Sequence, residues 1–144
     1  MIAFTAGYLT SSFFGGRLMA HFKLGTLLTA STFSAAIALL AYSVAPLWWL
    51  IVFAAVAAGL GGGGIDVTLN SYVASRHGDN LMQWLHASYG IGATAGPIIM
   101  TTAIALTNSW RSGYLLVGML QMALMASFLL TISMWETQNK HFLT

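Results

Sequence analysis

Residues 47–74 read LWWLIVFAAVAAGLGGGGIDVTLNSYVA, and in that run Asp66 is the single charged side chain. A helix crossing a hydrocarbon core takes about 20 predominantly apolar residues, so the stretch is long enough to span. Its apolar positions are continuous, whereas the strand of a membrane barrel is about ten residues of alternating character. Working outward, four more stretches share its composition: residues 2–20, 24–44, 84–106 and 113–135. The separators are short and polar: His21-Phe22-Lys23, Ala45-Pro46, residues 75–83, residues 107–112, and a tail from Glu136. The expected fold is therefore all-α, a polytopic transmembrane bundle of five spans.

Composition supports this class and excludes others. Apolar residues make up 58% of the 144 positions and charged residues 6%, where an average soluble domain carries about 25% charged residues. Five basic and three acidic side chains cannot cover the surface of a water-soluble protein of this size, nor do they make a basic patch for nucleic acid. There is no cysteine, hence no disulfide or thiolate chemistry. No cluster of metal-ligand residues stands out, and no cofactor is implied. Ser88 is two residues from His86 and cannot face it on a helix, so no nucleophile–base pair forms there. The run Gly90-Ile91-Gly92-Ala93-Thr94-Ala95-Gly96 lies inside an apolar span; a dinucleotide loop needs a strand before it and a helix after it. The chain is not expected to be an enzyme.

With five spans the loops alternate sides. Arg17, Lys23, Arg76 and Lys140 then share one side, and Arg111 stands on the other. The positive-inside rule puts the larger set in the cytoplasm, so the amino terminus is expected outside and the carboxy terminus inside, in the plasma (inner) membrane. Trp48, Trp49 and Trp110 fall at outer span ends, Trp84 and Trp135 at inner ends, as an aromatic belt requires. The apolar run starts at Met1 without the charged region of a secretory signal. It reads as a span whose predecessor is missing.

Several faces are distinctive. Gly59 and Gly63 form one small-xxx-small pair and Gly92 and Gly96 another, the pattern that lets membrane helices approach closely. Pro97 removes a backbone donor and loosens the fourth span at its centre. Asp66 lies past the middle of the third span. An embedded ionisable group is costly and by default indicates a functional site, which makes Asp66 a proton-coupling candidate. Asn70 follows one turn later on the same face, together with Gly59, Gly62 and Gly63, so this face turns toward other helices. His86, Tyr89, Gly90, Ala93 and Pro97 form a stripe on the fourth span. His86 reads as an interfacial residue, and Tyr89 either meets solute or simply packs. Tyr8, Ser12 and Gly15 line one face of the first span; Tyr114, Gly118 and Gln121 line one of the fifth. Asn70, Tyr89 and Gln121 are the candidates for solute contact.

The segment Gly16-Arg17-Leu18-Met19-Ala20-His21-Phe22-Lys23 resembles the loop between the second and third helices of the major facilitator superfamily. Gly16 matches that family's first glycine and His21 one of its basic positions. Ala20 stands where an acidic residue is expected, and Lys23 where a second glycine is. The run Gly63-Gly64-Ile65-Asp66-Val67-Thr68-Leu69-Asn70-Ser71-Tyr72 is similar to the fourth helix of the fucose:proton symporter branch, and Gly92-Ala93-Thr94-Ala95-Gly96-Pro97 to the core of the fifth-helix glycine-proline motif. The resemblance implies helices two to six of an amino-terminal transporter half, embedded in a lipid bilayer and completed by a missing remainder. It implies secondary transport of a small polar solute by alternating access, with a sugar and proton coupling through Asp66 as the first expectation. Gly16, Arg17, His21 and Lys23 would then brace an inward gate. Two alternatives stand beside it: a drug:proton antiporter, and a small non-transporting membrane protein that packs with partner helices.

Overall fold

The computed structural model describes residues 1–76 and 78–137, the last three of them in backbone only. Lys140 and the side chain of Trp135 lie outside the described residues. Five long helices follow one another: α1 (Ile2–His21), α2 (Leu24–Val44), α3 (Trp48–Arg76), α4 (Asp79–Thr107) and α5 (Trp110–Leu130), then a short α6 (Ile132–Thr137). Among the described residues there is no strand.

The helix ends follow local chemistry. Pro46 lies in the turn between α2 and α3. The fourth helix starts at Asp79, five residues ahead of the expected span. Gly78 in extended conformation is its N-cap, and Asp79 places a carboxylate in the first turn, where the helix dipole favours it. At its other end Asn108 takes the left-handed conformation (φ 51°) that closes many helices. The Ser109 hydroxyl then accepts from the Arg111 amide and caps α5. The fifth helix ends at Leu130, and Thr131 separates it from α6. Gly16–Ala20, part of the expected first span although the family resemblance likens them to a loop, lie within α1, and His21 extends that helix, leaving Phe22 and Lys23 as the connection.

Helices α2 to α5 are long and apolar enough to cross a membrane. At 29 residues α3 is about 43 Å long, more than the ~30 Å hydrocarbon core. α1 has 20 residues but is less apolar. It carries Arg17 and His21 near its end, and Gly7, Ser11 and Gly15 are buried at four-residue spacing, turned toward α3.

Large apolar side chains point outward and small ones inward. Phe13, Phe53, Ile91, Leu106 and Leu130 are exposed, while the buried set is mainly Gly, Ala, Ser and Thr; the largest fully buried side chains among the described residues are Leu28, Thr32 and Thr68. In water such a surface would drive association. In lipid, close backbone packing holds helices together and apolar groups face acyl chains.

The glycine run of α3 is where that packing is tightest, and it serves two neighbours. A Cβ on Gly59 would overlap the Phe4 carbonyl oxygen of α1, and one on Gly63 would sit 2.6 Å from that of Tyr8. On the adjacent face a Cβ on Gly61 would come within 2.6 Å of the Ser31 carbonyl of α2, and one on Gly64 would overlap the Ser31 hydroxyl. Further along, Ser34 donates to the Ala57 carbonyl (2.9 Å), a direct bond between α2 and α3. α3 is thereby wedged between α1 and α2. α5 packs on the far side of α2, where a Cβ on Gly118 would meet Leu40, and the Arg111 guanidinium donates to the Ala45 carbonyl (2.9 Å).

Candidate functional site

The wedge fixes where Asp66 can point. Gly59 and Gly63 bring the backbone of α1 against α3 at Phe4 and Tyr8. One turn beyond Gly63, the half-buried Asp66 carboxylate then meets the Tyr8 side chain. Tyr8 donates its phenol to Asp66 Oδ2. Tyr89 of α4 donates its phenol to Oδ1. Asn70, one turn along α3, donates Nδ2 to Oδ1 at 2.7 Å and also reaches the Asp66 carbonyl at 2.8 Å. The same amide stands 3.4 Å from the Tyr89 hydroxyl. Three donors from α1, α3 and α4 thus converge on one carboxyl group.

This arrangement has chemical consequences. A carboxylate away from water needs partners, and hydrogen bonds to a charged group are stronger than those between neutral ones. Tyr8, Tyr89 and Asn70 supply them, with no cation among the described residues of the cluster. His86 lies beyond Tyr89, ring to ring at 6.1 Å.

Of the residues expected at the site, Asp66, Asn70 and Tyr89 come together. Gln121 does not join them: on α5 it makes no hydrogen bond to Asp66, Asn70 or Tyr89. Gly59 and Gly63 pack against the α1 backbone. At Gly92, Gly96 and the neighbouring Gly90 an added Cβ would find no atom within 4 Å, so that face of α4 meets no other helix among the described residues. Pro97 sits inside an unbroken α4. At the α1–α2 connection, Gly16 is open, the Arg17 guanidinium lies 5.8 Å from the Phe14 ring, and His21 Nδ1 is 2.9 Å from the Arg17 carbonyl. Lys23 is the N-cap residue of α2 and has a partner of its own.

Two features escaped the sequence reading. The first is Tyr8 as an Asp66 partner, 58 residues away in the chain; the signal for it was its spacing from the small residues Gly7, Ser11 and Gly15. The second is a cavity of about 580 Å³ at the end of the bundle bearing the Ala45–Pro46 turn. Phe4, Tyr42, Trp48, Met100, Trp110 and Tyr114 contribute to its wall, drawn from all five long helices. Tyr42 and Tyr114 meet there at 5.0 Å. None of Asp66, Asn70, Tyr89 or Gln121 lines it. Phe4 joins the two features, since its ring stacks on Tyr8 at 6.3 Å.

A family model described as Major Facilitator Superfamily matches residues 1–141. No curated protein and no solved structure matches the chain.

Proposed function

Because this chain belongs to the Major Facilitator Superfamily, a family of membrane transporters, we propose that it works as part of a proton-coupled secondary transporter for a small polar solute, with sugars the first class to test. In this reading α1 crosses the membrane alongside the four more apolar helices. The basic ends at Arg17, Lys23 and Arg76 face the cytoplasm of a cell whose plasma membrane holds the protein. A further half completes it, and the halves rock about a site near the midplane. The observation that carries the reading is Asp66, embedded in α3 and held by Tyr8, Tyr89 and Asn70 with no cationic partner in the cluster. Asp66 takes up and releases the proton; Asn70 and Tyr89 offer the polar contacts for solute, with Gln121 on α5 as a further contact when the halves move. Gly16, Arg17, His21 and Lys23 form the inner gate.

The aromatic cavity favours a second reading. A pocket of this volume, walled by Phe4, Tyr42, Trp48, Trp110 and Tyr114, suits an apolar or aromatic solute better than a sugar. That would make the protein a drug:proton antiporter.

One experiment separates them. Proteoliposomes holding the complete reading frame are given an inward proton gradient and either a panel of radiolabelled sugars or a panel of fluorescent aromatic amphiphiles. Concentrative sugar uptake supports the first reading; proton-driven exchange of amphiphiles supports the second. In either case Asp66→Asn is expected to abolish proton-driven uphill movement while sparing solute-for-solute exchange. Full accumulation by that variant removes Asp66 from the mechanism.

A further inference from the structure

The hydroxyl of Ser12 is buried and has no hydrogen-bond partner. Among the described residues the Thr68 hydroxyl of α3 is in the same state, whereas other hydroxyls nearby close onto the helix backbone. On the same helix Thr10 turns back to the Ala6 carbonyl at 2.7 Å and Thr5 to that of Met1 at 3.2 Å. On α2, Thr29 and Thr32 close onto carbonyls four residues earlier, each at 2.7 Å. Ser12 stands four residues from Tyr8, on the same face of α1, and its hydroxyl faces α3 at Gly63, where an added Cβ would stand 3.2 Å from it, one turn before Asp66. Leaving a buried hydroxyl unpaired is unfavourable by about 1–3 kcal/mol.

The groups around Asp66 give the unpaired hydroxyl a meaning. Tyr8 faces Asp66 from α1 and Tyr89 from α4, with His86 beyond Tyr89. The α2 residues packed against this part of α3, Ser31 and Ala35, are uncharged. Three donors meet two oxygens, two on Oδ1 and one on Oδ2, which leaves Oδ2 an open site. A proton arriving on Asp66 turns one oxygen into a donor. Oδ1 already takes Tyr89 and Asn70, so Oδ2 is the oxygen with room. The Tyr8 proton and the new carboxyl proton would then compete for one hydrogen bond, and one of them must go elsewhere.

We propose that Ser12 is the alternate acceptor for the Tyr8 phenol, which makes Tyr8 and Ser12 a two-position hydrogen-bond switch set by the protonation of Asp66. This rests on reading Asp66 as the proton carrier. In the charged state Tyr8 O–H donates to Oδ2. When a proton from water binds Oδ2, the new carboxyl O–H donates to the Tyr8 oxygen, and the Tyr8 proton turns about its C–O bond to Ser12 Oγ. No covalent bond other than Oδ2–H is made, one positive charge is taken up, and the Tyr8–Asp66 contact survives with its direction reversed. α1 and α3 stay joined in both states. Ser12 is a positioning residue: it acts through Tyr8 and touches no solute.

The test is an infrared pH titration of the complete protein in lipid bilayers. The carbonyl band of a protonated carboxylic acid that vanishes in Asp66→Asn reports Asp66. Ser12→Ala removes an unpartnered hydroxyl and leaves the fold intact; it takes away the acceptor needed only by the protonated state. The pH midpoint of the band is therefore expected to fall by roughly half a unit or more. Tyr8→Phe removes a donor from the carboxylate and is expected to move the midpoint the other way. Opposite shifts support the switch. An unmoved midpoint in Ser12→Ala, with Asp66 still titrating, overturns the switch and leaves Asp66 as proton carrier. Absence of any Asp66 band across the accessible range overturns both.

Discussion

α3 and α4 carry glycines at the same four-residue spacing and use them in opposite ways. On α3, Gly59 and Gly63 sit where no side chain fits, against the backbone of α1. On α4, Gly92 and Gly96 face open space, and no residue of that helix is buried. A small-xxx-small pair thus permits close packing without producing it. What decides is whether the partner helix offers a matching strip, as α1 does with Gly7, Ser11 and Gly15. α4 is held instead by a few specific groups: the Tyr89 bond to Asp66 of α3, and Met100 and Ala103 against Gly113 of α5. The tight pair makes a rigid frame, and the looser helix delivers a polar side chain to it.

The comparison breaks most readily at Gly59. Gly59→Leu forces a side chain into the Phe4 backbone, and overpacking of this kind costs typically about 1–3 kcal/mol, more where backbone must yield. A marked drop in the thermal midpoint in detergent is expected; an unchanged midpoint would mean that α1 does not lie against α3. A smaller effect, on the order of 1 kcal/mol, is expected for Tyr89→Phe, which deletes the donor from α4. Amide exchange should quicken in α4 while α1 and α3 keep their protection; equal loosening of all three helices would show that α4 belongs to the rigid frame. The smallest effect belongs to the double change Gly92→Ala and Gly96→Ala. With nothing near either position, stability of this chain should not fall, and each alanine should add at most about 1 kcal/mol of helix propensity. A clear loss would place a neighbour on that face.

The same contrast explains how far the sequence could be read. The helical class, the approximate helix positions and the partial burial of the Asp66 face follow from local rules. Continuous apolar runs set the spans, and Asp66 and Asn70 share a face because they are four residues apart. The glycine run of α3 was legible as a packing surface; that Gly61 and Gly64 turn to a second partner, α2, was not. Tyr8 was legible only as a polar residue on a face. Its bond to Asp66 depends on the axial register between α1 and α3, which the interlocking small residues set and which no periodicity within one helix reveals. The early start of α4 was missed for a related reason: the polar residues Asp79–Gln83 look like a loop, yet they continue a helix that need not remain inside lipid. The aromatic cavity gathers single residues from five helices, so no stretch of sequence announces it.

The central claim is that Asp66 points into the bundle and is shared between α1 and α4. Solid-state NMR of the protein in lipid bilayers, with carbon-13 in aspartate carboxyls and tyrosine rings, addresses it directly. The account predicts through-space contacts from the Asp66 carboxyl to the rings of both Tyr8 and Tyr89. Contacts from that carboxyl to lipid acyl chains, with none to either tyrosine, would contradict it.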